Sequence, residues 1–126
     1  MRFGIKPLQG AGHFRTTLEE ACLAESLGFD AVYLSEHHGV ADGFYPSPFV
    51  VMGAIAGRTT RVRFWIGIIV LPLYHPLHVA EQAAVLDEVS EGRLELGVAV
   101  AIGRRSSRPS ASPSRSGEPA PKRRSS

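Results

Sequence analysis

The sequence predicts an α/β protein built around a parallel sheet, and three observations support this class. Four short segments are rich in apolar and β-branched residues, three segments between them carry apolar residues at helical spacing, and the connections are short. This alternation predicts right-handed βαβ units. The pattern leaves open whether the sheet is doubly wound or forms part of a (β/α)₈ barrel.

The first βα unit is predicted from the N-terminal segment. A strand opens between Arg2 and Leu8, and the glycine-containing stretch from Gln9 to Arg15 is typical of a loop. Thr17 and Glu20 have the spacing of a capping box, and apolar residues follow at helical spacing as far as Gly28. We therefore expect a helix that begins near Thr17 and ends at Gly28.

The second unit begins with a strand over Phe29 to Leu34, whose apolar character is typical of a parallel strand covered on both faces. A polar loop follows, from Ser35 to Tyr45. Ser47-Pro48 then supplies a helix cap followed by proline at the first helical position, and Gly57 is placed to end this second helix.

The third unit and the last strand complete the pattern. A third strand is predicted over Val62 to Leu71, and His75-Pro76 begins a helix with one apolar face that ends at Gly92. For His75 we favour this structural role at the helix start over a role in chemistry. Arg93 to Val100 alternates in hydrophobicity and predicts a fourth strand.

Composition limits the possible classes of protein. The chain has 126 residues, 44% of them hydrophobic, which fits one globular domain. The single cysteine, Cys22, excludes a disulfide framework and favours a reducing, cytoplasmic location. The chain begins without the pattern of a secretory signal, and the apolar run Phe64 to Leu73 is too short to span a bilayer, so we expect no membrane association.

Charge divides the chain into two parts. Residues 1–101 carry seven Lys/Arg and eleven Asp/Glu, whereas residues 102–126 carry seven Lys/Arg and one Asp/Glu. The second part is rich in Arg, Ser and Pro, has no aromatic residue and shows no helical or strand periodicity. We therefore expect one domain over 1–101 and a disordered tail over 102–126.

The densest polar chemistry is the run Glu36-His37-His38, directly after the second predicted strand. Loops at the carboxyl ends of parallel strands line the ligand crevice, and histidine exchanges protons near neutral pH. Chemistry alone supports two roles about equally. The histidines could act in acid-base catalysis, or they could cap the strand and face solvent without a chemical role. No metal site is expected, because neighbouring histidines rarely reach one ion and no HExxH or cysteine cluster accompanies them.

Five segments in order resemble the bacterial luciferase-like flavin-dependent monooxygenases over residues 1–101. They are MRFG, GFDAVYLSEHH, the helix start at Ser47-Pro48, IVLPLYHP, and AEQAAVLDEVSEGRLELGV. The resemblance implies the N-terminal half of a TIM barrel, with about four strands and three helices. It implies oxidation of a small organic substrate with reduced flavin and O₂, with FMN favoured over coenzyme F420.

The resemblance also implies roles for individual residues. His37 matches a catalytic histidine at the flavin site of luciferases, and Glu36 and His38 complete its motif. The segment Gly67, Ile68 and Ile69 matches a bulge that supports the flavin, with Gly67-Ile68 as a candidate cis peptide. Relatives often have Gly-Thr where this chain has Trp65-Ile66, so the alternative that this strand only fills the barrel core stays open.

Two further expectations concern partners and the tail. The resemblance implies a flavin reductase as electron donor and allows a homodimer. Codons can be written for Ile102 to Ser126 whose shifted frame encodes a family-like continuation, so we expect a frameshift near Val100 to Ile102. The less favoured alternative to a frameshift is a basic tail that binds nucleic acid. The alternative to an active monooxygenase is an inactive truncated, frameshifted fragment of such an enzyme.

Overall fold

The computed structural model of the protein describes residues 1–10, 12–39 and 44–100. The helices are α1 (Phe14–Ser26), α2 (Pro48–Ala56) and α3 (Pro76–Val89), and the strands are β1 (Gly4–Ile5), β2 (Ala31–Leu34), β3 (Arg63–Val70) and β4 (Leu94–Ala99). A short 3₁₀ turn, Leu71–Leu73, follows β3. The predicted α/β class, with four strands and three helices, is confirmed. The tail predicted over 102–126 lies outside the described residues.

The strands form a single parallel sheet in the order β1-β2-β3-β4. Each strand pairs with the next one in sequence, and one helix covers each crossover, so all carboxyl ends meet at one edge. The strand β1 is shorter than the predicted opening at Arg2 to Leu8. At its start the Phe3 N–H donates to the Asp30 carboxylate at 2.7 Å instead of to a strand neighbour.

The two faces of the sheet differ in what covers them. On the helix side, alternate residues of β2 and β3 are fully buried and share one core with Met52 and Ile55 of α2; they are Val32, Leu34, Phe64 and Ile66. Burial of each such side chain stabilises the fold by about 1.5–3 kcal/mol. On the opposite face, which we call the inner face, Tyr33, Trp65 and Glu95 lie side by side in register.

Helix α1 begins at Phe14, so the predicted capping box at Thr17 and Glu20 is wrong. Thr17 lies fully buried inside the helix, where its hydroxyl bonds to the Leu8 carbonyl and lies 2.8 Å from the Tyr45 hydroxyl. The Glu20 carboxylate accepts from the Leu8 N–H at 2.7 Å. The two residues therefore anchor the loop between β1 and α1, a long-range role that their spacing does not reveal.

The starts of the other helices agree with prediction. Helix α2 begins at Pro48, with Ser47 at the cap position, although the Ser47 hydroxyl makes no capping bond. Helix α3 begins at Pro76, and Nδ1 of His75 accepts from the Leu77 N–H at 3.3 Å. The structural role predicted for His75 is confirmed.

The amino ends of β3 and β4 are held by a buried arginine, Arg93, whose guanidinium donates to uncharged acceptors. Its Nε–H donates to the Ser90 carbonyl at 2.6 Å, and Nη1 donates to the Thr59 hydroxyl at 3.0 Å and the Val62 carbonyl at 3.2 Å. Nη2 donates to the Ala56 carbonyl at 3.4 Å. This one side chain therefore joins the end of α2, the start of β3 and the start of β4.

Glu25 of α1 provides a second anchor at the same end. Its carboxylate accepts the backbone N–H groups of Arg61 and Val62 at 2.7 Å each and that of Thr60 at 3.0 Å. Against the effect of burial, these hydrogen bonds and the charge of Arg61 lower the pKa of Glu25. The segment that leads into β3 is therefore fixed by one carboxylate.

Candidate functional site

The candidate site lies at the carboxyl edge of the sheet and is organised around Glu36, two residues after β2. The side chain is buried, with 3% of the residue exposed. One carboxylate oxygen, Oε2, accepts the Val70 N–H at 2.9 Å, and the other, Oε1, accepts the Tyr74 hydroxyl at 2.7 Å. Glu36 therefore ties the end of β2 to the end of β3 and to the segment after the 3₁₀ turn.

His38 completes this cluster from the loop that follows Glu36. Its Nε2 is hydrogen-bonded to Oε1 of Glu36, and about a third of its side chain, 35%, is exposed. Carboxylate oxygens accept hydrogen bonds, so the histidine tautomer that fits this contact has its proton on Nε2. The second ring nitrogen, Nδ1, is then the basic atom of the neutral ring.

His37 takes a different position. Its ring packs on Phe44, with 4.4 Å between ring centroids and an interplanar angle of 53°. Nζ of Lys6, just beyond β1, lies 4.0 Å from the centroid of the same Phe44 ring. The structure therefore brings Glu36 and His38 together and places His37 against Phe44, whose ring also lies under the Lys6 ammonium. The catalytic role expected for His37 stays a prediction.

Tyr74 is a member of the cluster that the sequence analysis missed. Burial, the hydrogen bond to Glu36 and the negative charge of Glu36 together raise the pKa of Tyr74 well above its usual range. The phenol is therefore neutral and acts as a fixed donor. The available signal was its place at the carboxyl end of the third strand, one residue before the His75-Pro76 helix start.

The strand β3 carries the predicted bulge. Its pairing with β4 shifts register between Ile66 and Ile69, and the Gly67-Ile68 peptide is cis, so both expectations are confirmed. The three residues proposed to contact a flavin differ in exposure. Ile68 is 43% exposed, Gly67 is partly buried, and the Ile69 side chain is fully buried in the core. Of the two isoleucines, only Ile68 therefore offers its side chain to a ligand.

A side chain of β2 closes directly over the bulge. The Tyr33 hydroxyl donates to the Gly67 carbonyl, and a Cβ built on Gly67 would lie 2.5 Å from Cε2 of the Tyr33 ring. Tyr33 also packs edge-on against Trp65, with 5.6 Å between ring centroids. A side chain at position 67 would therefore displace the Tyr33 ring from the bulge.

Gln9, between β1 and α1, supplies a polar group that the sequence analysis also missed. Its Oε1 accepts the Ser35 N–H at 3.2 Å, whereas its Nε2 is buried and has no hydrogen-bond partner. A buried donor without an acceptor costs about 1–3 kcal/mol. The rule that directed attention to loops after strands applies to Gln9 as well, since it follows β1.

Residues 1–10, 12–39 and 44–100 contain no group of three or more His, Cys, Asp or Glu side chains arranged to hold a metal ion. Over the same ranges, no helix has the length and apolar character needed to cross a bilayer.

Comparison with known proteins identifies the family of this fold. A family model described as luciferase-like monooxygenase matches residues 1–109. The chain belongs to the luciferase-like monooxygenase family. Among curated relatives, the oxygenase component of the flavin-dependent trigonelline monooxygenase of Acinetobacter baylyi is 37% identical over 81 residues, which are 64% of this chain and 22% of that protein.

Solved structures of the luciferase-like family share the fold. The oxygenating constituent of 3,6-diketocamphane monooxygenase from Pseudomonas putida, in complex with FMN, matches 82% of this chain and 30% of its own with a TM-score of 0.75 and 27% identity. An F420-dependent secondary alcohol dehydrogenase matches 77% of this chain and 31% of its own, with a TM-score of 0.66 and 25% identity. The sheet and its helices are therefore part of a luciferase-like TIM barrel, as predicted.

The match covers only a small part of each relative. The chain spans about a quarter of the length of the curated relatives that it matches, 25%, 24% and 22% for three of them. Family membership is established by these residues, and the activity of the whole protein is a separate question.

Proposed function

We propose that the protein acts as a flavin-dependent monooxygenase that oxidises a small organic substrate with reduced flavin and O₂. The observation that carries this proposal is the buried Glu36 carboxylate, which holds a partly exposed histidine at the carboxyl edge of the sheet, beside the β3 bulge. In a parallel α/β fold this edge is where substrates and cofactors bind. Flavin-dependent and FMN-containing relatives support the same reading.

The residues at this edge fit a flavin. Partly exposed Ile68 offers an apolar surface next to the bulge, and Nε2 of Gln9 is a buried donor that lacks an acceptor. We propose that Gly67 and Ile68 lie against the ring system, with only the backbone of Ile69 available to it. When bound, the flavin supplies the redox chemistry, and the protein supplies orientation and proton transfer.

Within this proposal the three sequence-predicted catalytic residues have separable roles. Glu36 positions His38 and balances its charge, because its carboxylate meets Nε2 of that ring. His38 accepts and returns a proton through its other nitrogen. His37, which packs on the Phe44 ring, contacts the substrate or the cofactor.

The cofactor and the electron donor are also proposed. We favour FMN, because the solved relative with a TM-score of 0.75 contains it, and keep coenzyme F420 as the alternative. One curated relative is named as an oxygenase component, which supports a separate flavin reductase as donor. The homodimer and the cytoplasmic location stay predictions.

The test is titration of FMN fluorescence with the purified chain, run beside a titration with coenzyme F420. We expect quenching at micromolar protein for FMN. Gly67→Ala should weaken binding by about tenfold, because the new methyl group displaces the Tyr33 ring from the bulge. Gly53→Ala is the matched control, since a Cβ at Gly53 meets nothing within 4 Å.

A second candidate is the inactive fragment anticipated from the sequence. The exposed inner-face side chains of Trp65 and Ile68, 51% and 43% exposed, favour it, because a closed barrel would cover that face. Absence of FMN quenching by a folded wild-type chain would select this alternative. Equal binding by wild type and Gly67→Ala would instead remove the bulge from the proposed flavin site.

A further inference from the structure

We infer that Tyr74 is a positioning residue, which acts through Glu36 to hold His38 in one orientation with Nε2 protonated and Nδ1 as its proton-exchanging atom. Neither Tyr74 nor Nδ1 of His38 has an assigned role in the sequence analysis. The geometric part of this inference stands on the hydrogen bonds alone. Its catalytic part rests on the proposed function.

Several hydrogen-bond donors converge on the Glu36 carboxylate. Glu36 receives the Val70 N–H on Oε2 at 2.9 Å, and it receives both the Tyr74 hydroxyl, at 2.7 Å, and Nε2 of His38 on Oε1. These donors come from three separate segments of the chain. The backbone donor fixes one oxygen, and the phenol fixes the other.

Fixing both oxygens determines how His38 meets the carboxylate. A buried carboxylate with one donor can rotate, whereas one held at both oxygens presents a single direction to its third partner. The Tyr74 hydroxyl is the side-chain donor that shares Oε1 with the imidazole. Its removal would free Oε1 to move, even though the contact between Glu36 and His38 is not itself altered.

The chemical consequence follows from what each atom can do. Nε2 donates to Glu36, so a proton taken from a reacting group must arrive at Nδ1. The resulting imidazolium keeps its Nε2–H···O bond, and its positive charge is balanced by the Glu36 carboxylate. The proton returns from Nδ1 by the same route. Tyr74 itself transfers no proton, because its phenol stays neutral as a donor to Glu36.

The test is nitrogen-15 NMR of the full chain with labelled histidine, at a pH where the rings are neutral and without flavin. His38 signals are assigned by comparison with His38→Gln. We expect Nε2 of His38 to be protonated, with a ring proton that exchanges with water about tenfold more slowly than those of exposed His13 and His78. In Tyr74→Phe this slow exchange should be lost while the circular dichroism spectrum is unchanged.

Tyr45→Phe is the matched control, because it removes a buried tyrosine hydroxyl that bonds to Thr17 and not to the Glu36 side chain. It should leave the His38 signals as in wild type. If Tyr74→Phe does not fold, Tyr74→Met replaces it, since it also removes the hydroxyl donor to Glu36, and the same loss of slow exchange is expected. A wild-type His38 protonated on Nδ1, or slow exchange that persists in a folded Tyr74→Phe, overturns the inference.

The catalytic part is separated from the proposed function by the flavin titration. If the chain shows the expected NMR signature but binds no FMN, the positioning of His38 is supported and the proposed function is overturned. If the chain binds FMN but lacks the NMR signature, only the positioning of His38 is overturned. In an active preparation, Tyr74→Phe should lower kcat with little change in KM, a split that a role in substrate binding would not produce.

Discussion

The two ends of the sheet use a carboxylate in different ways. At the amino end, Glu25 accepts three backbone N–H groups and, at 3.5 Å, the Thr60 hydroxyl, and neighbouring Arg93 donates to three carbonyls and a hydroxyl, so most of these partners belong to the backbone. At the carboxyl end, Glu36 accepts from two side chains besides one backbone group. Side-chain partners can be exchanged for a ligand, whereas backbone partners cannot without unfolding. The comparison separates the structural end of the molecule from its functional end.

The largest loss of stability at the amino end of the sheet is expected for Arg93→Met. We expect the free energy of unfolding to fall by about 3 kcal/mol, because the buried carbonyls that accept hydrogen bonds from the Arg93 guanidinium are left without a donor. Urea unfolding followed by circular dichroism measures the change. Arg58→Met, at an exposed arginine, should change stability by less than about 0.5 kcal/mol. Similar effects of the two substitutions would show that Arg93 is not a structural anchor.

Glu25→Gln tests the pH dependence of the same end. The pKa of Glu25 is lower in the folded state than its ordinary value of 4.5. The contribution of Glu25 to the free energy of unfolding is therefore complete above pH 4.5 and disappears as the pH falls through the lower folded pKa. At neutral pH we expect the free energy of unfolding of wild type to exceed that of the variant by about 1 kcal/mol; the difference is small because solvent screens the charge. Urea midpoints measured at pH values above and below 4.5 should therefore converge in acid. A gap that widens in acid would contradict the sign.

The smallest expected effect on stability lies at the carboxyl end, for Gln9→Met. The variant removes an unpartnered donor and also the acceptor of the Ser35 N–H, so the two changes offset each other within about 1 kcal/mol. Under the proposed function it should still weaken FMN binding severalfold. A large loss of stability with unchanged FMN binding would move Gln9 to the structural side of the comparison.

Local signals predicted the fold well. Apolar runs marked the strands, and the residue pairs Ser47-Pro48 and His75-Pro76 placed the starts of α2 and α3 because proline fixes the first helical turn by itself. The Gly67-Ile68 irregularity came from family resemblance and not from propensity. At Thr17 the local pattern failed, since its hydroxyl bonds across the loop to Leu8.

The candidate site was predicted in part, and what was missed depends on long-range contacts. The motif Glu36-His37-His38 is contiguous, so chemistry alone drew attention to it. Tyr74 lies 38 positions from Glu36, and Gln9 lies 26 positions from Ser35. No periodicity connects such residues, because only the parallel sheet brings the ends of β1, β2 and β3 to one edge.

The inner face also provides an optical probe of its own occupancy. Trp65 is the single tryptophan of the sequence, lies two residues before Gly67 and is 51% exposed beside the edge-on ring of Tyr33. Its emission therefore reports on one known place, with no background from other indoles. A bound flavin would accept its excitation energy, and a protein surface that covered the face would shift its emission to shorter wavelength. Tryptophan fluorescence of the unlabelled chain thus distinguishes a bound cofactor from a covering polypeptide in a single spectrum.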